Sequence, residues 1–360
     1  MQTMKETPAD DFIAGPDDLI LVTGATGFMG SRLVAHLLDS GFRNLRCFAR
    51  PSSAVGRLEA LCNSATGAGR VQVLTGNLLS RDDCMTATAG VTVIYHLAAG
   101  RGEKSFPDAF LNSVVTTRNL MDAAISQQSL KRFVNVSSFS VYSNMNKPKG
   151  RLLDETCPVE RNPEKGRDAY CFAKVKQDEI VSDYGQRCGL PYVIVRPGYV
   201  YGPGNEGMTF RVGIGTFGLY LHLGGSNEIP LTYVDNCVGA IALAGLKPGV
   251  DGEVFNVVDD NLPSSRSLLR QYKKNVRKFT SIYLPHAVSY LLCYGWERYS
   301  EWSQGQLPPA FNRREWHASW KKSRYSNHKL KTRLGWSPKV STVEGLRRHF
   351  EACRNRGQNA

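Results

Sequence analysis

The feature that most constrains this chain is a glycine-rich turn, Leu21-Val22-Thr23-Gly24-Ala25-Thr26-Gly27-Phe28-Met29-Gly30. It stands between a short apolar run at 19–22 and a helical pattern at 31–38. A strand that turns through glycines into a helix aims free backbone N–H groups and the positive helix end at an anion, and a pyrophosphate fits there. Gly24 permits the tight turn, Gly27 lets phosphates approach the backbone, and Gly30 lets helix pack on strand. Thr26, Phe28 and Met29 lie along the same turn. Glycines alone are weak grounds in a chain with 34 of them. Their placement between strand and helix is what reads as a dinucleotide site.

The alternation continues downstream. Apolar runs at 45–49, 71–74, 91–97, 133–137, 192–196 and 254–258 read as strands, and 108–126, 170–185 and 232–246 as helices. Strand, helix, strand in steady order predicts an α/β fold, a doubly wound parallel sheet covered on both faces. The pattern weakens after Tyr201. The expected division is a dinucleotide-binding domain over 18–200, to which 232–260 return, and a smaller substrate-binding domain toward the C-terminus from 201–231 and 262–360. Residues before the first strand are polar and acidic, which predicts a loose arm and no secretory leader. Nine cysteines without a CxxC, and histidines without zinc spacing, predict reduced thiols, no metal and a cytoplasmic location.

Tyr170 and Lys174 are four apart on a predicted helix, hence on one face. A neighbouring ammonium favours phenolate, which suits a tyrosine that exchanges protons near neutral pH. Tyr325 and Lys329 repeat the spacing, but only Tyr170 and Lys174 follow a strand-end serine pair, Ser137-Ser138; the second copy is expected at the surface. His96 reads as a packed strand-end residue.

Taken in order, the motifs resemble the extended branch of the short-chain dehydrogenase/reductase superfamily, with its NAD-dependent epimerase/dehydratase family. They are the GxxGxxG turn, His96-Leu97-Ala98-Ala99, Ser137-Ser138, Tyr170-Cys171-Phe172-Ala173-Lys174, Arg196-Pro197-Gly198, Tyr233-Val234-Asp235-Asn236 and Leu334-Gly335-Trp336-Ser337-Pro338. The resemblance covers 19 to about 345 and implies a Rossmann-like sheet. It implies that Tyr170 exchanges the proton of a substrate hydroxyl or carbonyl, that Lys174 holds the nicotinamide ribose and tunes Tyr170, and that Ser138 hydrogen-bonds the reacting oxygen, with Ser137 and Ser140 as runners-up. Ala98, Ala99 and Pro197 join the cofactor site, and Asn112 is expected as buried polar support.

Relatives that use NAD carry an acid where this chain has Ala49, and Arg50 follows, which favours the 2′-phosphate of NADP over NAD. Asn77, before Leu78, replaces a usual aspartate beside the adenine. The dehydratase branch places Thr-Asp-Glu where this chain has Ser138-Phe139-Ser140. Many sugar epimerases place an arginine where this chain has Glu228, although Arg211, Arg266 or Arg313 can meet a diphosphate from another side. The expectation is an NADP-dependent reductase or dehydrogenase acting on a small molecule; the alternative is a nucleotide-sugar epimerase with retained NAD. The resemblance also implies a homodimer through the helices at 108–126 and 170–185.

The net charge of +13 suits phosphate-bearing ligands, nucleic acid or an anionic membrane face, and does not choose among them. No nucleic-acid module is present. Residues 266–278 form a basic amphipathic pattern, followed by an aromatic stretch at 282–302 and a second basic stretch at 313–333. These are expected to cap the substrate site with an aromatic core face; contact with an anionic membrane surface is the lesser alternative.

Overall fold

The structure is a computed structural model that describes residues 11–56, 58–60, 70–100, 105–145, 148, 150–303 and 311–358. Seven strands make the central sheet: β1 (Ile20–Thr23), β2 (Asn44–Ala49), β3 (Arg70–Thr75), β4 (Val93–His96), β5 (Arg132–Val136), β6 (Tyr192–Pro197) and β7 (Val254–Val257). They lie in the order β7-β6-β5-β4-β1-β2-β3 and every pair is parallel. The order reverses beside β1, between β2 and β4, which opens a crevice at the carboxyl ends of these strands.

Strands buried on both faces need apolar residues at every position, and side chains then divide by parity. Ile20, Val22, Val93, Tyr95, Val134, Val193 and Val195 enter one core with helices α1 (Gly30–Asp39) and, farther along the chain, Val234–Leu246. Leu21, Ile94, Phe133 and Ile194 enter the other, against α2 (Arg81–Thr88) and helices Thr116–Ile125 and Ala169–Cys188. Between the sheet strands the helices run on as α3 (Phe106–Ala109), α4 (Thr116–Ile125), α5 (Ala169–Cys188) and α6 (Val234–Leu246). The helix expected unbroken over 108–126 is interrupted by a π-helical turn, Phe110–Val115, between α3 and α4.

The second half supplies α7 (Ser265–Asn275), α8 (His286–Trp302), α9 (Arg313–Ser319), α10 (His328–Leu334) and α11 (Thr342–Gln358). A three-stranded sheet joins the hairpin Gly213–Thr216 and Leu219–His222 to Ser281–Tyr283. Leu268, Leu269, Leu330, Leu334, Trp336, Leu346 and Phe350 share a core with Ile20 and Val22. Most of the C-terminal helices therefore rest on the sheet's own apolar face; α8 and α9 surround a small separate cluster of Leu223, Cys293 and Trp320.

The expected loose arm is corrected over its described part. The Ile13 N–H donates to Leu246 O at 2.9 Å, and Phe12 packs on Phe42 with ring centroids 6.4 Å apart. Residues 1–10 of the arm lie outside the described residues. Tyr325 is also no surface residue: its ring stacks on Phe139 at 5.7 Å, while Lys329 pairs with Glu253 at 2.6 Å.

Candidate active site

At the carboxyl ends of β1, β4, β5 and β6 a cleft of about 620 Å³ takes Gly24, Gly27, Phe28, Met29 and Gly30 on one wall. Ser138, Tyr170 and Lys174 form another, with Ala99 between them. Two glycines of the turn, Gly24 and Gly30, have no room for a side chain. Gly24 sits at φ +68°, and a Cβ there would stand 2.9 Å from the Ala98 nitrogen. A Cβ on Gly30 would stand 2.1 Å from the Gly24 carbonyl oxygen. No side chain caps the N-terminus of α1, and its first turn holds no acid. An uncapped helix start behind a glycine-rich turn fits a dinucleotide pyrophosphate.

Thr26, Ala98 and Pro197 flank this cleft without lining it. Leu78 is buried, and Arg50 and Asn77 are exposed just beyond the carboxyl ends of β2 and β3, whose last residues Ala49 and Thr75 are register partners. Those three therefore stand outside the cleft that Ser138, Tyr170 and Lys174 line, toward the side where the adenosine end of an extended dinucleotide would reach. The Asn77 Oδ1 accepts from Leu79 N–H at 3.0 Å, and its backbone N–H donates to Asp83 at 2.6 Å.

Tyr170, Lys174 and Asp178 stand at four-residue spacing along α5. Asp168 caps the helix, its carboxylate accepting from Cys171 N–H at 2.7 Å, and so fixes where the first turn points. Tyr170 follows, partly exposed to the cleft. One turn on, Lys174 is buried, and its ammonium donates to Val136 O at 2.7 Å. Burial pulls its pKa down to about 8, and Asp178 opposes that shift. Asp178, one turn further, is held by Arg196 at 3.0 Å and by Asn135 Nδ2 at 3.0 Å. Arg196 in turn lies over the Tyr142 ring, 4.9 Å from its centre. The buried carboxylate keeps a cation beneath Tyr170. Its signal in the sequence was the next i+4 step after Lys174.

Ser138 heads a 3₁₀ turn, Phe139–Val141, its hydroxyl accepting from Ser140 N–H at 3.1 Å. That turn is gripped by Arg167, which donates to Ser140 O at 3.1 Å and pairs with Glu315 of α9 at 3.2 Å. Both residues line the cleft and neither was singled out in the sequence, because the pair joins positions 148 residues apart.

His96 packs as expected. Thr117 donates to Ser113 O at 2.6 Å, so it accepts from His96 Nε2 at 2.8 Å; Nδ1 then accepts from Thr23 Oγ1 at 2.8 Å. Burial lowers the imidazole pKa to about 3, so the ring is neutral. Asn112 is corrected: it is exposed in the π-helical turn. The buried asparagine of this segment is Asn119, whose Nδ2 donates to Leu78 O and Leu79 O at 3.1 Å. Of the three arginines considered for a diphosphate, Arg211 lines the cleft, donating to Ala318 O at 2.8 Å. Arg313 is held by Glu297 at 2.7 Å, and Arg266 lies over Tyr283. Glu228 lines a different cavity, with Asp259, Asp260 and Arg324.

A family model described as "NAD dependent epimerase/dehydratase family" matches residues 20–257. The chain is similar to "Uncharacterized UDP-glucose epimerase YtcB" of Bacillus subtilis (strain 168), 30% identical over 251 residues, 66% of this chain and 76% of that one. It is 29% identical over 252 residues to "3beta-hydroxysteroid-dehydrogenase/decarboxylase isoform 1" of Arabidopsis thaliana, covering 65% of this chain and about half, 54%, of that one. Among solved structures, UDP-glucuronic acid 4-epimerase from Bacillus cereus in complex with NAD superposes with a TM-score of 0.70 at 22% identity, covering 95% of this chain and 98% of that one. That likeness speaks to the fold.

Proposed function

The chain belongs to the NAD dependent epimerase/dehydratase family, and on that premise we propose that it is an NADP-dependent reductase or dehydrogenase acting on a hydroxyl or carbonyl of a small molecule. The observation that carries this reading is that Ser138, Tyr170 and Lys174 face the same cleft as the glycine turn, while the cleft carboxylates are already engaged. Glu315 pairs with Arg167 and accepts from Ser319 at 2.5 Å, and Asp168 caps α5. Neither is placed as the acid and base that removal of water needs.

When bound, the nicotinamide supplies or accepts a hydride. The protein residues handle the proton. Ser138 hydrogen-bonds the substrate oxygen, Tyr170 gives it a proton in reduction or takes one in oxidation, and the Lys174 ammonium offsets charge on the phenolate. Phe210, Tyr199 and Val200 give the cleft an apolar wall for the body of the substrate. Arg50 pairs with the 2′-phosphate.

The epimerase reading keeps one observation of its own, the Arg211 side chain on the cleft wall. Isotope transfer separates the two. With NADPH deuterated at C4 and a panel of apolar ketones and aldehydes, the reductase reading expects deuterium in an alcohol product and one NADP⁺ per turnover. Interconversion of UDP-sugars without net cofactor consumption, and no label in any alcohol, would reject it.

A further inference from the structure

Three surface features lie on the second half, and none of their residues lines the cleft. The first is α8. Val288, Leu291, Leu292, Tyr299 and Trp302 recur at helical spacing on its outer side, with Leu291 64% and Trp302 77% exposed. The inner side is spent on packing: Ser289 and Cys293 are buried, and Trp316 of α9 donates to Ser289 at 2.9 Å. The second is α7, whose Arg266, Arg270 and Lys274 are exposed at four-residue intervals, with Arg277 and Lys278 exposed just beyond. Between Asp260 and Glu297 the sequence holds six Lys or Arg and no Asp or Glu. The third is the hairpin tip. Phe217 stands fully exposed at φ +46°, a backbone position that favours Gly, Asn or Asp. A bulky aromatic residue there costs stability and buries nothing within the chain.

The hairpin and α7 adjoin through strand Ser281–Tyr283, after which the chain enters α8 at His286. Strand Leu219–His222 joins the tip to Ser281–Tyr283. Ile282 and Tyr283 are themselves exposed, and Arg266 lies over the Tyr283 ring, 5.5 Å from its centre. At the other end Arg277 lies 6.0 Å from the Phe279 ring centre, and Phe279 packs on Tyr220 of the hairpin.

We infer that this face docks on an anionic bilayer surface, with Phe217 and the α8 stripe entering the headgroup boundary and the α7 cations meeting acidic lipid. Apolar and aromatic side chains beside unopposed cations are what an interfacial helix presents to such a surface. No helix among the described residues is long and apolar enough to cross a membrane, so the contact is peripheral. The inference does not depend on the reaction proposed above.

The test is flotation of the full chain with phosphatidylcholine vesicles, with and without 30% phosphatidylserine by composition (about 30%, enough for a surface potential of tens of millivolts). Binding is expected only with phosphatidylserine and is expected to weaken with salt. Arg270→Glu with Lys274→Glu should cut it about tenfold or more. Leu291→Asp should cut it as well. Phe217→Gly should weaken binding while leaving the melting temperature equal or higher, since glycine accepts the positive φ. Failure to float with anionic vesicles overturns the inference, as does equal binding to neutral vesicles. A concentration-dependent dimer that Leu291→Asp dissolves would also overturn it, because a second copy would then cover the stripe.

Discussion

In the proposed reaction Tyr170 and Lys174 divide one task. Tyr170→Phe removes the exchanged proton and should lower kcat by about 10²–10⁴-fold with the fold intact; steady-state rates alongside circular dichroism check this. Lys174 allows a pH prediction. Burial lowers its pKa to about 8, below the unfolded value near 10.4. The cost of burying the ammonium is therefore complete below about pH 8 and is relieved as pH rises toward the unfolded value. Wild type should gain stability relative to Lys174→Met across that window, on the order of 3 kcal/mol at most. Denaturant midpoints at pH 7 and 10 measure it, and a difference that moves the other way would contradict the assignment. In the reducing direction kcat should fall above about pH 8, as the cation beneath Tyr170 is lost. Arg50→Ala should raise KM for NADPH roughly 10–100-fold and leave KM for NADH unchanged, the worth of a charge-assisted contact.

At the scale of elements, the β1 turn and α1 act as one rigid piece. Gly30→Val would drive a Cβ into the Gly24 carbonyl oxygen, so it should cost about 3 kcal/mol or more and abolish dinucleotide binding together; thermal unfolding and a nucleotide titration read both. The late motifs have a comparable structural task. Asn236 at the start of α6 donates to Asp259 at 3.0 Å and to Val340 O at 2.8 Å, and accepts from Val340 N–H at 2.9 Å. Trp336 donates to the Asn236 carbonyl at 3.0 Å. Asn236→Ala should cost about 2–3 kcal/mol by denaturant unfolding, because it strands buried backbone groups of the Val340 segment. Local pattern made these elements legible: continuous apolar runs marked the strands, and the Tyr-to-Lys spacing marked α5. The π-helical turn escaped because Phe110–Val115 has no glycine or proline to announce it. Asn112 was misplaced for the same reason, since that turn changes which side chains face inward.

For the molecule as a whole, the doubly wound parallel sheet was legible from the alternation of strands and helices, while the order of its strands came only from the structure. The cleft's far wall was not legible either. Arg167 with Glu315, and Phe210 tilted against Trp320 with ring centroids 4.8 Å apart, join segments separated by more than a hundred residues. No periodicity reports such pairs. The shared core was equally hidden: Trp336 and Phe350 seal the sheet face that begins with Ile20. α9, packed on its own cluster with Cys293 and Trp320, lays Glu315 and Ser319 along the cleft that the glycine turn also lines. The central claim is that this cleft exchanges free NADP(H) with solution. Native mass spectrometry of the purified chain, followed by NADPH and NADH titration of the same sample, tests it most directly. The account predicts a protein that arrives without dinucleotide and binds NADPH at least about tenfold more tightly than NADH, as one charge-assisted contact requires. A protein that arrives with NAD held through buffer exchange, and shows no preference for the 2′-phosphate, would contradict it.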